Sequence, residues 1–423
     1  MSHGMLRHVN MKRPLYGGGN QPPKYIYRYG LVNPMVDPLN QHLNRFYNTH
    51  AYVNPQEMIQ AKDIDSQIKT SLLRFFMDNN SEHIELLNIG SSFEDLKVGR
   101  ADEFDHVIIR NNERVSLPRE IYDIDKKGYC SLKQSSLQRV PVQMNTATRT
   151  SMNRYSPYQR SPMARHIHKL AFTRPTMVYE TISAGDTHSF FHSFFQQWLN
   201  SFHCGRNDGK TITMFIKGVV YDVTLETSGP AFTVILKQPQ NDASKISIDF
   251  SPACRFRDKL LVAKPHPKLK DRQMLRADTV KSLEERWLIS ACREEAKAYQ
   301  VMRSGVQTKV VKIMKAIRLR RQQWQCISSY CFKTIMLYLN RDNPDVRLWM
   351  ESKLTERFVD MLEAFYYVCS TGNLPCFFNQ QINVLEDIDS QALKSIALDI
   401  RQGIDKCISN NDAGFLHHFQ LNE

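Results

Sequence analysis

The spacing of apolar residues changes character along the first part of the chain. From Met58 to Phe76 the apolar residues recur at helical spacing, which predicts one long helix. Two short runs rich in β-forming residues follow, at 84–89 and 104–109, and each predicts a strand. The Gly-Ser-Ser sequence at 90–92 marks a turn directly after the first strand.

The rest of the chain separates into a β-rich part and a helical part. An amphipathic helix is predicted over 186–202, and three β-patterned runs follow it: 212–219, 232–236 and 246–250. From Leu283 onward the periodicity is helical, with breaks near 340–344 and 370–375. The pattern therefore predicts an α+β fold, with a mixed-sheet core and a helical C-terminal lobe.

These patterns divide the chain into three predicted regions. Residues 1–52 form a basic, Gly- and Pro-punctuated tail that we expect to be largely disordered. Residues 53–282 form the α+β core, and residues 283–423 form the helical lobe. Within the core, 134–179 holds Lys and Arg but no acidic residue, which predicts a flexible basic insertion.

Composition narrows the class of protein and its partners. Hydrophobic residues make up 42% and charged residues 23% of the 423 residues, and no apolar run reaches the ~18 residues that a membrane-spanning helix needs. The N-terminus lacks the apolar stretch of a secretory signal, and the nine scattered cysteines do not form a disulfide pattern, so we expect a cytoplasmic protein. The net charge of +13 predicts a polyanionic partner, such as nucleic acid, nucleotides or acidic lipid.

Three acidic residues on predicted strands are candidate metal ligands. Glu103 and Asp105 are two residues apart, so in a strand both side chains point to the same face. Asp249 lies in a separate β-patterned run between Ile248 and Phe250, where an unpaired acid is costly. Oxygen ligands of this kind suit Mg²⁺, and paired ions can activate a hydroxyl and stabilise a leaving pyrophosphate. A Glu-x-Asp pair by itself more often forms the solvated face of a sheet.

The turn at 90–92 and a long basic stretch add candidate phosphate contacts. Backbone N–H groups and the hydroxyl of Ser91 can cradle nucleotide phosphates. From Ala296 to Arg341 there is no acidic residue, and lysines recur every three residues from Lys309 to Lys315. Charge runs are usually solvated faces, but unopposed cations on a helix also suit a nucleic-acid backbone. The predicted nucleic-acid contacts are Lys309, Lys312, Arg318, Arg320 and Arg321.

The order of these motifs resembles that of a known enzyme family. The stretch 90–105 is similar to the nucleotidyltransferase motif of the cyclic GMP-AMP synthase-like receptors, a metazoan nucleotidyltransferase group. Further segments follow in the order that the family has: 228–234, 246–249, 261–266, 287–290 and 328–334. The resemblance implies a bilobal, polymerase-beta-like nucleotidyltransferase, extending from about residue 58 to the C-terminus.

The resemblance also implies a reaction and a set of site residues. Glu103, Asp105 and Asp249 would hold Mg²⁺ or Mn²⁺ and act in catalysis. The implied nucleotide-binding residues are Gly90, Ser91, Ser290, Lys315, Ser329 and Tyr330. Such a protein makes a cyclic dinucleotide messenger from ATP and GTP in innate immunity when nucleic acid activates it, and a homodimer assembled on nucleic acid is compatible with this activity.

Two departures from the family pattern limit what the resemblance implies. Leu288 follows Trp287 where relatives commonly have an arginine that faces a base, so the choice of base stays open. Between Trp287 and Lys309 the chain has Cys292 but no histidine, so the zinc cluster of the DNA-sensing members is not expected. That difference favours double-stranded RNA over DNA as the activating ligand.

Two other functions share this sequence pattern. One is a catalytically inactive, RNA-binding or scaffold protein with the same fold, similar to the developmental branch of the family. The other is a template-independent polymerase that extends RNA ends with the same metal chemistry. The intact carboxylates favour an enzyme over the scaffold, and the contexts of Trp287 and Tyr330 resemble the cyclase branch rather than the polymerases.

Overall fold

The structure is a computed structural model, and it describes residues 38–79, 83–111, 119–125, 127–141, 173–202, 211–229, 231–239, 241–302, 305–409 and 412–421. The helices up to residue 284 are α1 (Pro38–Phe46), α2 (Pro55–Asn79), α3 (Ala184–Asn200) and α4 (Ala277–Glu284). Those that follow are α5 (Cys292–Val301), α6 (Val306–Arg320), α7 (Ser329–Asp342), α8 (Leu354–Thr371), α9 (Ser390–Ile408) and α10 (Asp412–His418). Short π- and 3-10-helical turns connect several of them.

The strands of the described residues form one mixed sheet. They are β1 (His83–Ile89), β2 (Glu103–Asn111), β3 (Arg119–Tyr122), β4 (Tyr129–Pro141), β5 (Thr173–Ile182), β6 (Thr211–Ile216), β7 (Val219–Ser228), β8 (Ala231–Gln238), β9 (Asn241–Phe256), β10 (Lys259–Val262) and β11 (Trp287–Ser290). The long strand β9 pairs antiparallel with β8 and β10 and parallel with β2, which in turn pairs with β1. This parallel β2–β9 pair brings the first and third predicted acids to adjacent strands.

The sheet is covered by the two long helices of the N-terminal half. From α2, Ile68, Leu72 and Phe76 are fully buried against the strands, at the helical spacing that the sequence predicts. From α3, Phe195 and Trp198 belong to the same apolar cluster. The mixed-sheet core and the helical C-terminal lobe confirm the α+β, bilobal fold class.

The tail predicted for residues 1–52 is wrong in its last part. Residues 38–51 form α1 and a π-helical turn, and Leu39, Leu43 and Phe46 are at most 1% exposed within the core of the helical lobe. Burying three large apolar side chains stabilises a short helix that intrinsic propensity alone would not. Residues 1–37 lie outside the described residues.

The boundary and the insertion also need correction. Strand β11 lies beyond the predicted core boundary at residue 282, yet it pairs with β4 and β10 and so belongs to the sheet. The ends of the predicted flexible insertion, 134–179, are strands: β4 and β5 pair from Leu132↔Ile182 to Pro141↔Thr173. Residues 142–172 lie outside the described part of the chain. The division into regions is otherwise still a prediction.

The helical lobe is built around α6. Its residues Val310, Ile313, Met314 and Ile317 are fully buried, and they pack in one cluster with α1, α7, α8 and α9. A helix whose side chains are buried on most sides lies in the interior of a lobe rather than on its surface. Within the described residues, no helix combines the length and the apolar character that crossing a membrane requires.

Candidate active site

Glu103, Asp105 and Asp249 lie together at one end of the parallel β2–β9 pair. Asp105 is in register with Asp249, and Glu103 precedes Asp105 by two residues on the same face of β2. One ligand oxygen from each carboxylate lies within 4.8 Å of the other two. The structure therefore brings together the three acids that the sequence singled out.

Two of the three acids border a cavity of about 650 Å³ between the sheet and the helical lobe, and Asp249 lies behind them without lining it. Glu103 and Asp105 line it, as do Gly90 and Ser91 from the loop that follows β1. We call residues 90–98 the Gly-Ser loop. Its Ser92 hydroxyl donates a hydrogen bond to the Glu103 carbonyl at 2.5 Å, which ties the loop to the strand that carries the first two acids.

Burial and crowding of negative charge raise the pKa values of two of these acids. Burial, together with the neighbouring charges of Glu103 and Asp249, raises the pKa of Asp105 to about 7. Burial also raises the pKa of Asp249, although a hydrogen bond from Thr233 partly opposes this. The buried Oδ1 of Asp249 has no hydrogen-bond partner among the described residues. Such an arrangement is unfavourable unless a cation or a proton balances it.

The donor set fits a divalent cation that prefers oxygen. Glu103, Asp105 and Asp249 would hold it, because all three are carboxylates and the orphaned Asp249 Oδ1 offers an unused ligand. A bound Mg²⁺ or Mn²⁺ supplies Lewis-acid stabilisation of phosphate charge. Lys97 lies 2.9 Å from Glu103 and 2.9 Å from Asp102 and balances part of the charge from one side.

In protein stripped of divalent metal, we expect the Asp105 contribution to stability to be lost as the pH rises. The folded-state pKa of Asp105, about 7, lies above its ordinary value of 3.8, so the stabilisation is complete below pH 3.8 and disappears as the pH passes 7. Thermal unfolding in a chelator, compared between wild type and Asp105→Asn, isolates this effect because asparagine does not titrate. The Asn variant should gain stability relative to wild type between pH 4 and pH 8. A difference that stays flat over that range contradicts the crowded-carboxylate geometry.

The helical lobe supplies cations to the opposite side of the cavity. Lys315 from α6 and Lys333 from α7 line it together with Lys97. Burial lowers the pKa of Lys315 to about 8, and the charges of Lys97 and Lys333 add to that lowering. Converging cations beside a carboxylate cluster suit a ligand that carries phosphates and metal together.

Three further acids that line the cavity, Glu94, Asp102 and Glu295, were not assigned a role from the sequence. Lys333 contacts Glu94 at 2.6 Å and Glu295 at 3.9 Å. Glu94 stands within the 90–105 motif, which was the one signal that could have pointed to it, whereas Glu295 lies between the motifs. Their distance from Lys333 along the chain made the ion pairs impossible to predict from spacing.

Five of the six predicted nucleotide-binding residues line the cavity. They are Gly90, Ser91, Lys315, Ser329 and Tyr330. The Tyr330 hydroxyl donates to Glu295 at 2.5 Å, and the Lys333 ammonium lies 5.9 Å from the centre of the Tyr330 ring, so the ring is held at the cavity wall.

Ser290 differs from that group. It ends β11, and its hydroxyl lies 3.4 Å from the backbone N–H of Cys292, which does line the cavity. Ser290 itself does not line the cavity. Its role in nucleotide binding stays a prediction, as do the roles of the other five residues.

The expectation that the cations of α6 stand unopposed is wrong. Lys312 is 5% exposed and contacts Asp95 at 2.9 Å, and Lys309 donates to Asn44 at 2.6 Å and to Glu351. The physical reason is that α6 is the central helix of its lobe, so its long polar side chains reach partners on neighbouring elements rather than solvent.

The three predicted arginine contacts are engaged in the same way. Arg318 lines the cavity and donates to the Gln325 carbonyl at 2.9 Å. Arg320 donates to the Gln420 carbonyl at 3.2 Å and meets His50. Arg321 pairs with Asp399. These contacts tie α6 and Arg321 to the rest of the chain. The cations are therefore not unopposed, and their contact with nucleic acid stays a prediction.

Comparison with known proteins places this geometry in a family. Residues 92–295 match the Mab-21 protein nucleotidyltransferase domain, and residues 306–402 match the Mab-21 protein HhH/H2TH-like domain. The first match contains the three acids and most of the Gly-Ser loop. The second contains α6, α7 and α8, and the first two of these supply the cationic side of the cavity.

The names of three curated relatives are of two kinds. The chain is 24% identical to a cyclic GMP-AMP synthase-like receptor of Aethina tumida over 76% of this chain and 75% of that protein. It is 20% identical to the mitochondrial dynamics protein MID51 of Danio rerio over 85% of this chain and 67% of that protein. A shorter segment matches the mitochondrial dynamics protein MID49 of Xenopus laevis. The two are 25% identical over 28% of this chain and 26% of that protein.

These findings agree with the resemblance that the motifs indicated. They are the order of the two domains, the sheet that carries the three acids, and the similarity to a cyclic GMP-AMP synthase-like receptor. The two family matches together span more than two thirds of the 423 residues. The chain belongs to the Mab-21 family, with a nucleotidyltransferase domain followed by an HhH/H2TH-like domain.

Proposed function

We propose that the protein is a metal-dependent nucleotidyltransferase that makes a cyclic dinucleotide from ATP and GTP. The observation that carries the proposal is the cluster of Glu103, Asp105 and Asp249, whose oxygens lie within 4.8 Å of one another beside a cavity large enough for nucleotides. The similarity to a receptor named for cyclic GMP-AMP synthase supports the product class. We place this activity in the cytoplasm and in innate immune signalling.

The residues at the site have complementary tasks in this reaction. The three carboxylates would hold Mg²⁺ or Mn²⁺, and Asp249 accepts the proton of the attacking hydroxyl, since its Oδ1 has no hydrogen-bond partner among the described residues. Lys315 and Lys333 balance triphosphate charge from the helical lobe. Gly90 and Ser91 contact phosphate, and the Tyr330 ring offers a face on which a base stacks.

The product is tested by incubation with four labelled nucleotides. Purified protein is mixed with ATP, GTP, CTP and UTP, with Mg²⁺ or Mn²⁺ and with double-stranded RNA or DNA, and the mixture is separated by chromatography. A cyclic product containing adenine and guanine supports the proposal. A linear extension of the RNA end indicates the polymerase alternative and overturns it.

We further propose that double-stranded RNA is the activating partner and that it binds a basic segment, residues 264–281. The Lys and Arg side chains of the segment are all exposed: Lys264, Lys268, Lys270, Arg272, Arg276 and Lys281. Arg272 pairs with Glu284 at 2.9 Å, and the remaining cations make no ion pair within the described part of the chain. Free, clustered cations on an exposed segment suit a phosphate backbone better than the engaged cations of α6.

Reversing Lys268, Lys270 and Lys281 to Glu is expected to weaken RNA binding by about tenfold or more at 150 mM salt. The slope of log affinity against log salt should fall by about one for each phosphate that the variant no longer neutralises. The matched control reverses three exposed lysines on other surfaces, Lys237, Lys245 and Lys394, with the same change in net charge. Equal weakening by both sets, measured by fluorescence anisotropy, contradicts a localised site.

A second candidate function is an inactive scaffold with the same fold. The match to mitochondrial dynamics protein MID51 over 85% of this chain favours it. The two functions differ in one measurable respect, because a scaffold binds nucleotide or a partner without releasing pyrophosphate. The intact carboxylate cluster supports the enzyme.

A further inference from the structure

Three consecutive residues of the Gly-Ser loop are each held by a lysine from the helical lobe. Lys333 of α7 contacts Glu94 at 2.6 Å, and Lys312 of α6 contacts Asp95 at 2.9 Å. Lys315 of α6 donates to the Leu96 carbonyl at 2.7 Å. The position of this loop is therefore set from the other lobe.

Lys312 is the member of this set that stands apart from the cavity. Lys315 and Lys333 both line it and can contact a ligand, whereas the Lys312 side chain is 6% exposed and its ammonium is directed to Asp95. The Tyr47 ring lies 5.9 Å from the same ammonium. A phosphate that reached Lys312 would have to displace both of these groups.

Asp95 has a left-handed backbone conformation. Its φ is +58°, in a region that residues other than glycine adopt rarely, although aspartate and asparagine adopt it more readily than most. This conformation reverses the chain, so that the Leu96 N–H donates to the Ser91 carbonyl at 2.8 Å. The turn at Asp95 thus closes the loop around the residue predicted to contact phosphate.

We propose that Lys312 is a positioning residue of the candidate active site, which holds Asp95 in its left-handed conformation and thereby fixes Ser91 at the cavity. This inference rests on the proposed function insofar as the cavity binds nucleotide. It assigns Lys312 a role inside the protein, in place of the nucleic-acid contact expected from the sequence.

The experiment compares Lys312→Met with Lys312→Arg and with the double variant Lys312→Met/Asp95→Gly in the full-length chain. Affinity for a fluorescent ATP analogue is measured with Mn²⁺, together with affinity for double-stranded RNA. Lys312→Met should weaken analogue binding about tenfold and leave RNA affinity unchanged, and Lys312→Arg should weaken it less. The double variant should recover to within about threefold of wild type, because glycine adopts φ +58° without the lysine.

A second pair of variants keeps the test independent of the buried lysine. Asp95→Ala loses the ion pair with Lys312 and keeps a side chain that disfavours a left-handed backbone, whereas Asp95→Gly loses both the ion pair and that side chain. Asp95→Ala should therefore bind the analogue more weakly than Asp95→Gly. Thermal unfolding of each variant identifies any that does not fold.

Three results overturn the proposal. The first is a folded Lys312→Met protein that binds the analogue as wild type does, and the second is a Lys312→Met protein that loses affinity for RNA instead of for the analogue. The third is a double variant that binds the analogue as weakly as Lys312→Met. Amide hydrogen exchange of the Gly-Ser loop distinguishes failure of this proposal from failure of the proposed function, because the measurement needs no nucleotide. Faster exchange in Lys312→Met supports positioning even if wild type binds no analogue, and unchanged exchange contradicts it.

Discussion

Asp249→Asn is expected to abolish nucleotidyl transfer, lowering turnover by about 10³-fold or more while the fold persists. Asparagine has the same shape as aspartate, so the strand pairing of Asp249 with Asp105 and Thr233 is retained. The change removes the carboxylate whose buried Oδ1 has no other partner among the described residues. It also removes a charge that burial disfavours, so thermal stability in chelator should stay equal or rise.

The matched control for this variant is Asp258→Asn. Asp258 is an exposed acid in the turn between β9 and β10, a few residues along the chain from Asp249. The control should retain wild-type turnover. Wild-type-like turnover in Asp249→Asn itself would remove Asp249 from the metal site.

Gly90→Ala is expected to lower metal-dependent turnover by about 100-fold or more. A Cβ at this position would lie 2.0 Å from Oδ2 of Asp105, and φ there is +80°. The close approach means that the loop backbone packs directly on a carboxylate of the site, so an added methyl group must displace one or the other. We expect weaker Mn²⁺ affinity to accompany the reduced turnover.

Gly99→Ala separates this clash from backbone strain. Gly99 has nearly the same φ, +78°, but a Cβ there meets nothing within 4 Å. Both substitutions carry the strain of a left-handed conformation, and only Gly90→Ala carries the clash. Similar losses in the two variants would show that Gly90 matters for conformation alone.

The acids of the site could be predicted from the sequence because their signals are local. Glu103 and Asp105 share a strand face through their spacing, and Asp249 stands out as an acid between apolar β-formers. The register that places Asp105 beside Asp249 depends on parallel pairing of strands far apart in the chain. Spacing could not supply that register, and the resemblance in motif order only grouped Asp249 with the other two acids.

The contacts of α6 could not be predicted, because its partner residues come from segments far away in the chain. A run of lysines at helical spacing predicts a charged surface, yet Lys309 and Lys312 meet Glu351, Asn44 and Asp95 from segments far away in the chain. The order of residues 38–51 has the same explanation: α1 is stabilised by burial against the helical lobe. Tertiary contacts decided both outcomes.

Release of pyrophosphate is the most direct measurement of whether these carboxylates form a working nucleotidyltransferase site. Wild type and Asp249→Asn are incubated with ATP and GTP, Mg²⁺ or Mn²⁺ and double-stranded RNA, and pyrophosphate is quantified against time. We predict metal-dependent release by wild type, stimulation by RNA, and no release above background by Asp249→Asn. Metal-dependent nucleotide binding without pyrophosphate release from any of the four nucleotides, with RNA or with DNA, would contradict the enzyme and leave the scaffold.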